Sequence, residues 1–160
     1  RKDTMGLAEV RAFFAERGME HRVLTFDVSS ATVELAAKAI GCEPGRIAKT
    51  LSFLTKDGPI LIVAAGYVKI DNQKYKARFG EKAKMLSPEE AVALIGHPVG
   101  GVCPFAVNPG VRIYLDASLK RYDLVYPACG SANSAIGLTL DELEAVCGRP
   151  EWVDVCKEVE

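Results

Sequence analysis

Lys49-Thr50, early in a run that reads as a β-strand, sets an ammonium and a hydroxyl side by side. By type alone a strand-end lysine is most often solvated. Partly buried, the same ammonium holds a phosphate or steadies a developing negative charge, work that suits a compact charge on a flexible stem. Gly100-Gly101 sits in residues 97–110 (HPVGGVCPFAVNPG). A Gly pair serves a tight turn, or lets backbone N–H groups approach a carbonyl oxygen as an oxyanion hole requires. His97 and Cys103 in the same stretch raise a Cys/His nucleophile, against the commoner role of free Cys as a small buried hydrophobe. Gly130-Ser131-Ala132-Asn133-Ser134 offers hydroxyls and an amide, either closing a hairpin or lining a pocket mouth.

Residues 69–84 hold Lys69, Lys74, Lys76, Arg78, Lys82 and Lys84 against Asp71 and Glu81, with Tyr75 and Phe79 between them. Such a run is usually a solvated helix face. In a chain of net charge −1 it is also the best local basic patch, where the phosphates of an RNA would dock. Five cysteines, an odd count without C-x-x-C, fit neither a disulfide framework nor a zinc ribbon; reduced thiols in a cytoplasmic protein are expected. A metal held by Cys103, Cys129 and His97 is the weaker alternative. No apolar run reaches the ~20 residues of a membrane span, and residues 1–6 lack the apolar segment of a signal peptide.

The elements that position these residues follow from periodicity and caps. Residues 4–17 read as a helix with Leu7, Val10 and Phe14 on one face and Gly18 as its stop. Residues 21–26 read as a strand. Ser30 is expected to cap a helix with Val33, Ala36, Ala37 and Ile40 inward, ended by Gly41. Residues 48–55 and 60–65 form a hairpin around Asp57-Gly58. Asp71 caps a basic helix through Phe79, and Ser87-Pro88-Glu89-Glu90 opens another that ends at Gly96. Residues 97–110 are a long loop of the kind that is usually functional or disordered; their apolar content argues against disorder. Strands are expected at 112–115, 124–126 and 134–138. A capping box at Thr139-Leu140-Asp141-Glu142 starts the last helix, with Leu140, Leu143 and Cys147 inward and Gly148 at its end. This interleaving predicts one mixed α/β domain over residues 1–160, with a largely antiparallel or mixed sheet. No G-x-G-x-x-G or Walker loop marks a nucleotide site.

Together these pieces resemble the YbaK/prolyl-tRNA-synthetase-associated editing family. The matching elements run roughly from Leu24 to Leu143. They are the Lys49-Thr50 strand, the Lys74 segment, Gly96-His97-Pro98-Val99-Gly100-Gly101-Val102-Cys103-Pro104-Phe105, Asp116 after a strand, and the loop and strand from Gly130 to Leu138. The resemblance implies an α+β domain whose mixed, barrel-like central sheet is surrounded by helices. It implies a deacylase that hydrolyses the ester of a misacylated tRNA in trans, with tRNA for proline carrying a small wrong amino acid as the expected substrate. A non-catalytic aminoacyl-tRNA-binding or regulatory module is the alternative. Lys49 matches the family's key lysine, and Gly101 the glycine whose backbone faces the substrate carbonyl. Phe26, Thr50, His97, Gly100, Ser131 and Asn133 are expected around the substrate, and Lys69, Lys74, Lys76 and Arg78 on the RNA. In better-studied members the substrate's own 2′-hydroxyl or thiol helps the attack, so no protein nucleophile, metal or cofactor is implied. The expected partners are the 3′ aminoacyl-adenosine end of tRNA and, optionally, prolyl-tRNA synthetase, with no DNA and no membrane. Cys-specific members carry an acidic residue in the late loop; Cys129 to Ala135 here has none.

Overall fold

The computed structural model describes residues 2–159. Helix α1 (Lys2–Ala15) buries Val10 and Phe14 completely. After β1 (Val23–Thr25) comes α2 (Val33–Ile40), whose inner face carries Ala36 and Ala37. Its cap is Thr32 and not the expected Ser30: the Thr32 hydroxyl accepts from Leu35 N at 3.2 Å, while the Ser30 hydroxyl donates to the carbonyl of Ala132. Gly41 ends α2 with φ 86°, a left-handed conformation that a residue without Cβ adopts freely.

The hairpin forms as β2 (Ile47–Thr55) and β3 (Gly58–Ala65). Asp71 caps α3 (Asn72–Phe79), accepting from the N–H groups of Gln73 and Lys74. Ser87 and Glu90 make the expected reciprocal cap on α4 (Pro88–Glu90), which continues as a wide π-type turn, Ala91–Ile95, up to Gly96. Residues 97–110 carry no helix or strand. Then come β5 (Arg112–Asp116), β6 (Leu124–Pro127), β7 (Ser134–Ile136), β8 (Leu138–Thr139) and α5 (Leu140–Val146), which begins at the Thr139–Glu142 capping box.

Three short strands escape the sequence pattern: β4 (Val68–Ile70), β9 (Glu151–Val153) and β10 (Cys156–Glu158). β9 extends the main sheet, whose order is β8-β6-β2-β3-β5-β9, and β4 and β10 form a separate antiparallel ribbon. The main sheet is mixed: β2 runs parallel to β6, and β5 parallel to both β3 and β9. It curls into a half-barrel. A second antiparallel ribbon pairs β1 with β7.

Two features hold the loops that later form a cleft. Phe13, Phe14 and Phe105 form an aromatic cluster, with centroids 4.8–5.8 Å apart, that fastens residues 101–105 to α1. Beside it the backbones of Gly6, Gly101 and Gly130 touch. A Cβ on Gly6 would lie 2.5 Å from the Gly130 carbonyl oxygen, and one on Gly101 would lie 2.4 Å from Gly130 C and Ser131 N. These glycines are needed for close approach.

Arg22 grips Glu142 with two bonds of 2.7 and 2.9 Å and donates a third, of 2.6 Å, to the Gly137 carbonyl. The guanidinium, with the Thr139 amide, holds the Glu142 carboxyl down at about 2, against 4.5 ordinarily. A depressed carboxylate stabilises the fold fully above its unfolded pKa and loses that contribution as pH falls toward 2. Both groups are about one-third exposed, so screening limits the effect to roughly 1 kcal/mol. Arg22→Ala is therefore expected to lower stability by that amount at pH 7 and to flatten the loss between pH 4.5 and 2. Urea melts of both proteins across this range check it; parallel curves would refute it.

Candidate active site

A cleft of about 510 Å³ opens where the ends of several elements meet. Its floor is the outer edge of β2, from Ile47 to Ser52. One wall is residues 30–33 and Ala36 of α2; another is Met85 to Pro88; Val99, Gly100 and Val102 close a third side, and Ser134 and Ala135 lie at the back. These segments are distant in sequence, and no local signal in residues 30–33 or 85–88 marks them as site residues.

Lys49 reaches the cleft from β2. Its side chain is half-buried, and Nζ donates to the carbonyl oxygen of Val68 in β4. Burial pushes its pKa below 10.5; Cys156 and Glu34, the charged or titratable neighbours, push the other way. Thr50 also lines the cleft, and its Oγ1 is buried without a hydrogen-bond partner.

Of the other expected site residues, Gly100 lines the cleft with φ 87°. Gly101 does not: it packs behind, and its N–H donates to Pro98 O at 3.0 Å. Phe26, Ser131 and Asn133 lie one layer back and brace the wall. Phe26 N donates to Asn133 O and Asn133 Nδ2 to Phe26 O, while Ser131 Oγ stands 2.7 Å from Ser134 Oγ. Ser30 N donates to Ala132 O at 2.6 Å, so residues 26–30 and 131–134 are laced together.

His97 is fully buried outside the cleft. Its Nε2 stands 2.7 Å from the Phe105 carbonyl, which can only accept, so Nε2 carries the proton. Burial lowers the pKa of the imidazole. Cys103 Sγ is 3.5 Å from that same nitrogen, which has no lone pair to take the thiol proton. Burial lifts the Cys103 thiol to about 12. The pair is packed as core, without the exposure a nucleophile needs. Asp116 is also buried: its carboxylate accepts from Ser118 N and Val155 N, joining β5 to the segment between β9 and β10. Among the described residues no three His, Cys, Asp or Glu side chains converge as metal ligands.

The basic residues of α3 and its approach stand apart; none lines the cleft. Lys74 is paired with Asp154 at 3.1 Å and donates to Cys156 O, and Arg78 is paired with Glu151 at 3.0 Å. Lys69 and Lys76 are exposed. The C-terminal strands thus neutralise half of the four-residue patch.

Residues 27–146 match the model of the aminoacyl-tRNA editing domain. The chain belongs to this family. The editing domain is 52% identical to the uncharacterized protein YwhH of Bacillus subtilis over 98% of this chain and all of that one. It is 30% identical to a candidate Cys-tRNA(Pro)/Cys-tRNA(Cys) deacylase, EbsC of Enterococcus faecalis, over 67% of this chain and 66% of that one. A proline–tRNA ligase of Thermosipho melanesiensis matches 63% of this chain at 30% identity, and the match spans only 18% of the ligase. In three dimensions, a crystal structure of a candidate trans-editing enzyme for prolyl-tRNA synthetase superposes with a TM-score of 0.86 and 31% identity, covering 95% of this chain and 97% of that one. The YbaK-like resemblance read from the sequence is thereby shown, as is the mixed α/β half-barrel. No helix among the described residues is long and apolar enough to cross a membrane.

Proposed function

We propose that this editing domain hydrolyses the ester joining a small, wrongly attached amino acid to the terminal adenosine of a tRNA, acting in trans, with tRNA for proline preferred. The observation that carries this reading is the anchored, half-buried ammonium of Lys49 at the edge of a cleft walled by small side chains. Water adds to the ester carbonyl, the bond to the ribose oxygen breaks, and free amino acid and tRNA leave. Lys49 either steadies the charge that develops on the carbonyl oxygen or clamps the terminal phosphate so that the ester is correctly aligned.

The test is a panel of misacylated tRNAs, assayed with wild type and Cys103→Ser. Turnover of alanyl-, seryl- or cysteinyl-tRNA retained in Cys103→Ser is expected. Abolished turnover in a folded Cys103→Ser protein would point to thiol chemistry, and binding without turnover on any tRNA to a regulatory module. Selectivity by size is modest, about 10–200-fold per methylene. Faster release of a bulky aromatic than of alanine would contradict a small-residue pocket.

Docking of tRNA on residues 69–78 is part of the same reading. Lys74→Glu with Lys76→Glu is expected to weaken tRNA binding and to shrink its salt slope by roughly 0.7–0.9 for each phosphate no longer neutralised. Lys69→Glu with Lys76→Glu leaves the Asp154 pair intact and should do the same. Unchanged salt slopes in both would make the patch a solvated face.

A further inference from the structure

We propose that the aminoacyl group docks as a one-residue β-strand against Thr50, its α-ammonium donating to the Thr50 carbonyl and its ester carbonyl accepting from the Thr50 N–H. This rests on the deacylase reading above.

The outer edge of β2 is paired on both sides of Thr50 but not at it. Ile47 and Ala48 pair with Tyr126 and Pro127 of β6. Beyond Thr50, Leu54 N donates to Lys84 O at 2.8 Å and Leu86 N to Ser52 O at 3.1 Å, around the Phe53–Met85 bridge. Backbone groups in an antiparallel strand alternate between its two edges. Ala48, Thr50, Ser52 and Leu54 therefore face this edge, while the intervening residues face β3. At Thr50 the opposing chain leaves an opening, between the segments that pair with Ala48 and with the Ser52 carbonyl. Among the described residues neither its N–H nor its carbonyl has a backbone partner there. The buried Thr50 hydroxyl is unpartnered as well. The opening faces the cleft, which Tyr126, Ala128, Met85 and Leu86 also line.

Unpaired strand edges accept an added strand when its donors and acceptors match. In a hydrogen-bonded antiparallel pair, two residues exchange both N–H···O bonds. An α-aminoacyl ester has the same layout as such a residue: a donor nitrogen and a carbonyl oxygen on either side of one Cα. Directly opposed residues place their side chains on the same face, so the substrate side chain falls beside the Thr50 hydroxyl. With the Gly101 N–H held by Pro98, the Thr50 N–H supplies the donor to the ester oxygen.

Two stable probes test this: 3′-alanylamino-3′-deoxyadenosine and its 3′-propionylamino counterpart, which differ only in the amine. The alanyl probe should bind about 10–100-fold tighter, the scale of a hydrogen bond to a charged group. Its binding should also shift the Thr50 amide resonance downfield and slow its hydrogen exchange. Equal affinities, no binding of either probe, or an unmoved Thr50 amide would overturn the proposal. The two claims fail separately. Turnover of alanyl-tRNA with amine-independent binding sinks the Thr50 pairing alone; amine-dependent binding without turnover sinks the hydrolytic reading alone.

Discussion

Lys49→Ala is expected to cut single-turnover deacylation by about 100-fold or more, the scale seen when a charge-stabilising donor is removed. The ammonium is half-buried and already tied to Val68 O, so its position is set before substrate arrives. Truncation leaves that carbonyl without its lysine, at a cost of about 1 kcal/mol, so the thermal midpoint should move only a few degrees. Lys49→Arg should not rescue fully, because a broad planar guanidinium cannot take the place of a compact head beside β4. Lys49→Gln, neutral but still a donor, separates charge from hydrogen bonding. Single-turnover assays with parallel melts check all three. Near-normal rates in a folded Lys49→Ala protein would return Lys49 to the role of an ordinary strand lysine and remove the central support of the proposed function.

Gly101→Ala should be more damaging than Gly100→Ala, and through packing. The added methyl would meet the Gly130 and Ser131 backbones at 2.4 Å, where no flexible side chain can yield. Overpacking of this kind costs about 1–3 kcal/mol, occasionally more, or up to about 10 °C in a domain of this size. The displaced 97–105 loop carries Gly100 and Val102 with it, so activity falls too. Gly100→Ala meets only the methyls of Ala31 and Ala132, at 3.2 Å; its main cost is the left-handed φ of 87°, about 1–2 kcal/mol. Melts should rank wild type above Gly100→Ala and Gly100→Ala above Gly101→Ala. An inactive Gly101→Ala protein that melts like wild type would instead assign Gly101 to substrate contact.

Local chemistry made much of this fold readable. Asp71, the Ser87 and Thr139 capping boxes, Gly41 as a helix stop and the Asp57-Gly58 turn each act within a few residues, and all appear as expected. What depends on distant partners did not show. β4, β9 and β10 are three residues long, too short for alternation to register, and exist because partners hold them. Glu151 of β9 and Asp154 just after it pair with Arg78 and Lys74, which in sequence stood as part of a run with only Asp71 and Glu81 against its six basic residues. Lys49, Thr50 and Gly100 stand out by residue type, whereas Ser30 and Met85 join the cleft only through tertiary placement. His97 and Cys103 are close in space as in sequence, but complete burial makes them structural neighbours.

The thiols give the molecule a built-in clock. Cys103 and Cys129 have no exposure, and burial lifts the pKa values of Cys103, Cys147 and Cys156 to about 12. The thiolate is the reactive form, so at neutral pH a chromophoric thiol reagent finds little to attack in the closed molecule. Half-buried Cys42, its thiol raised less far, is the readiest early target. Colour at the deeper sulfurs then accrues only as fast as the surrounding core opens. When reclosing outpaces the reaction, that slow rate reports the opening equilibrium. With no label engineered in, Cys103 and Cys129 would time the release of the 97–105 loop from α1, and Cys156 the detachment of the β4–β10 ribbon.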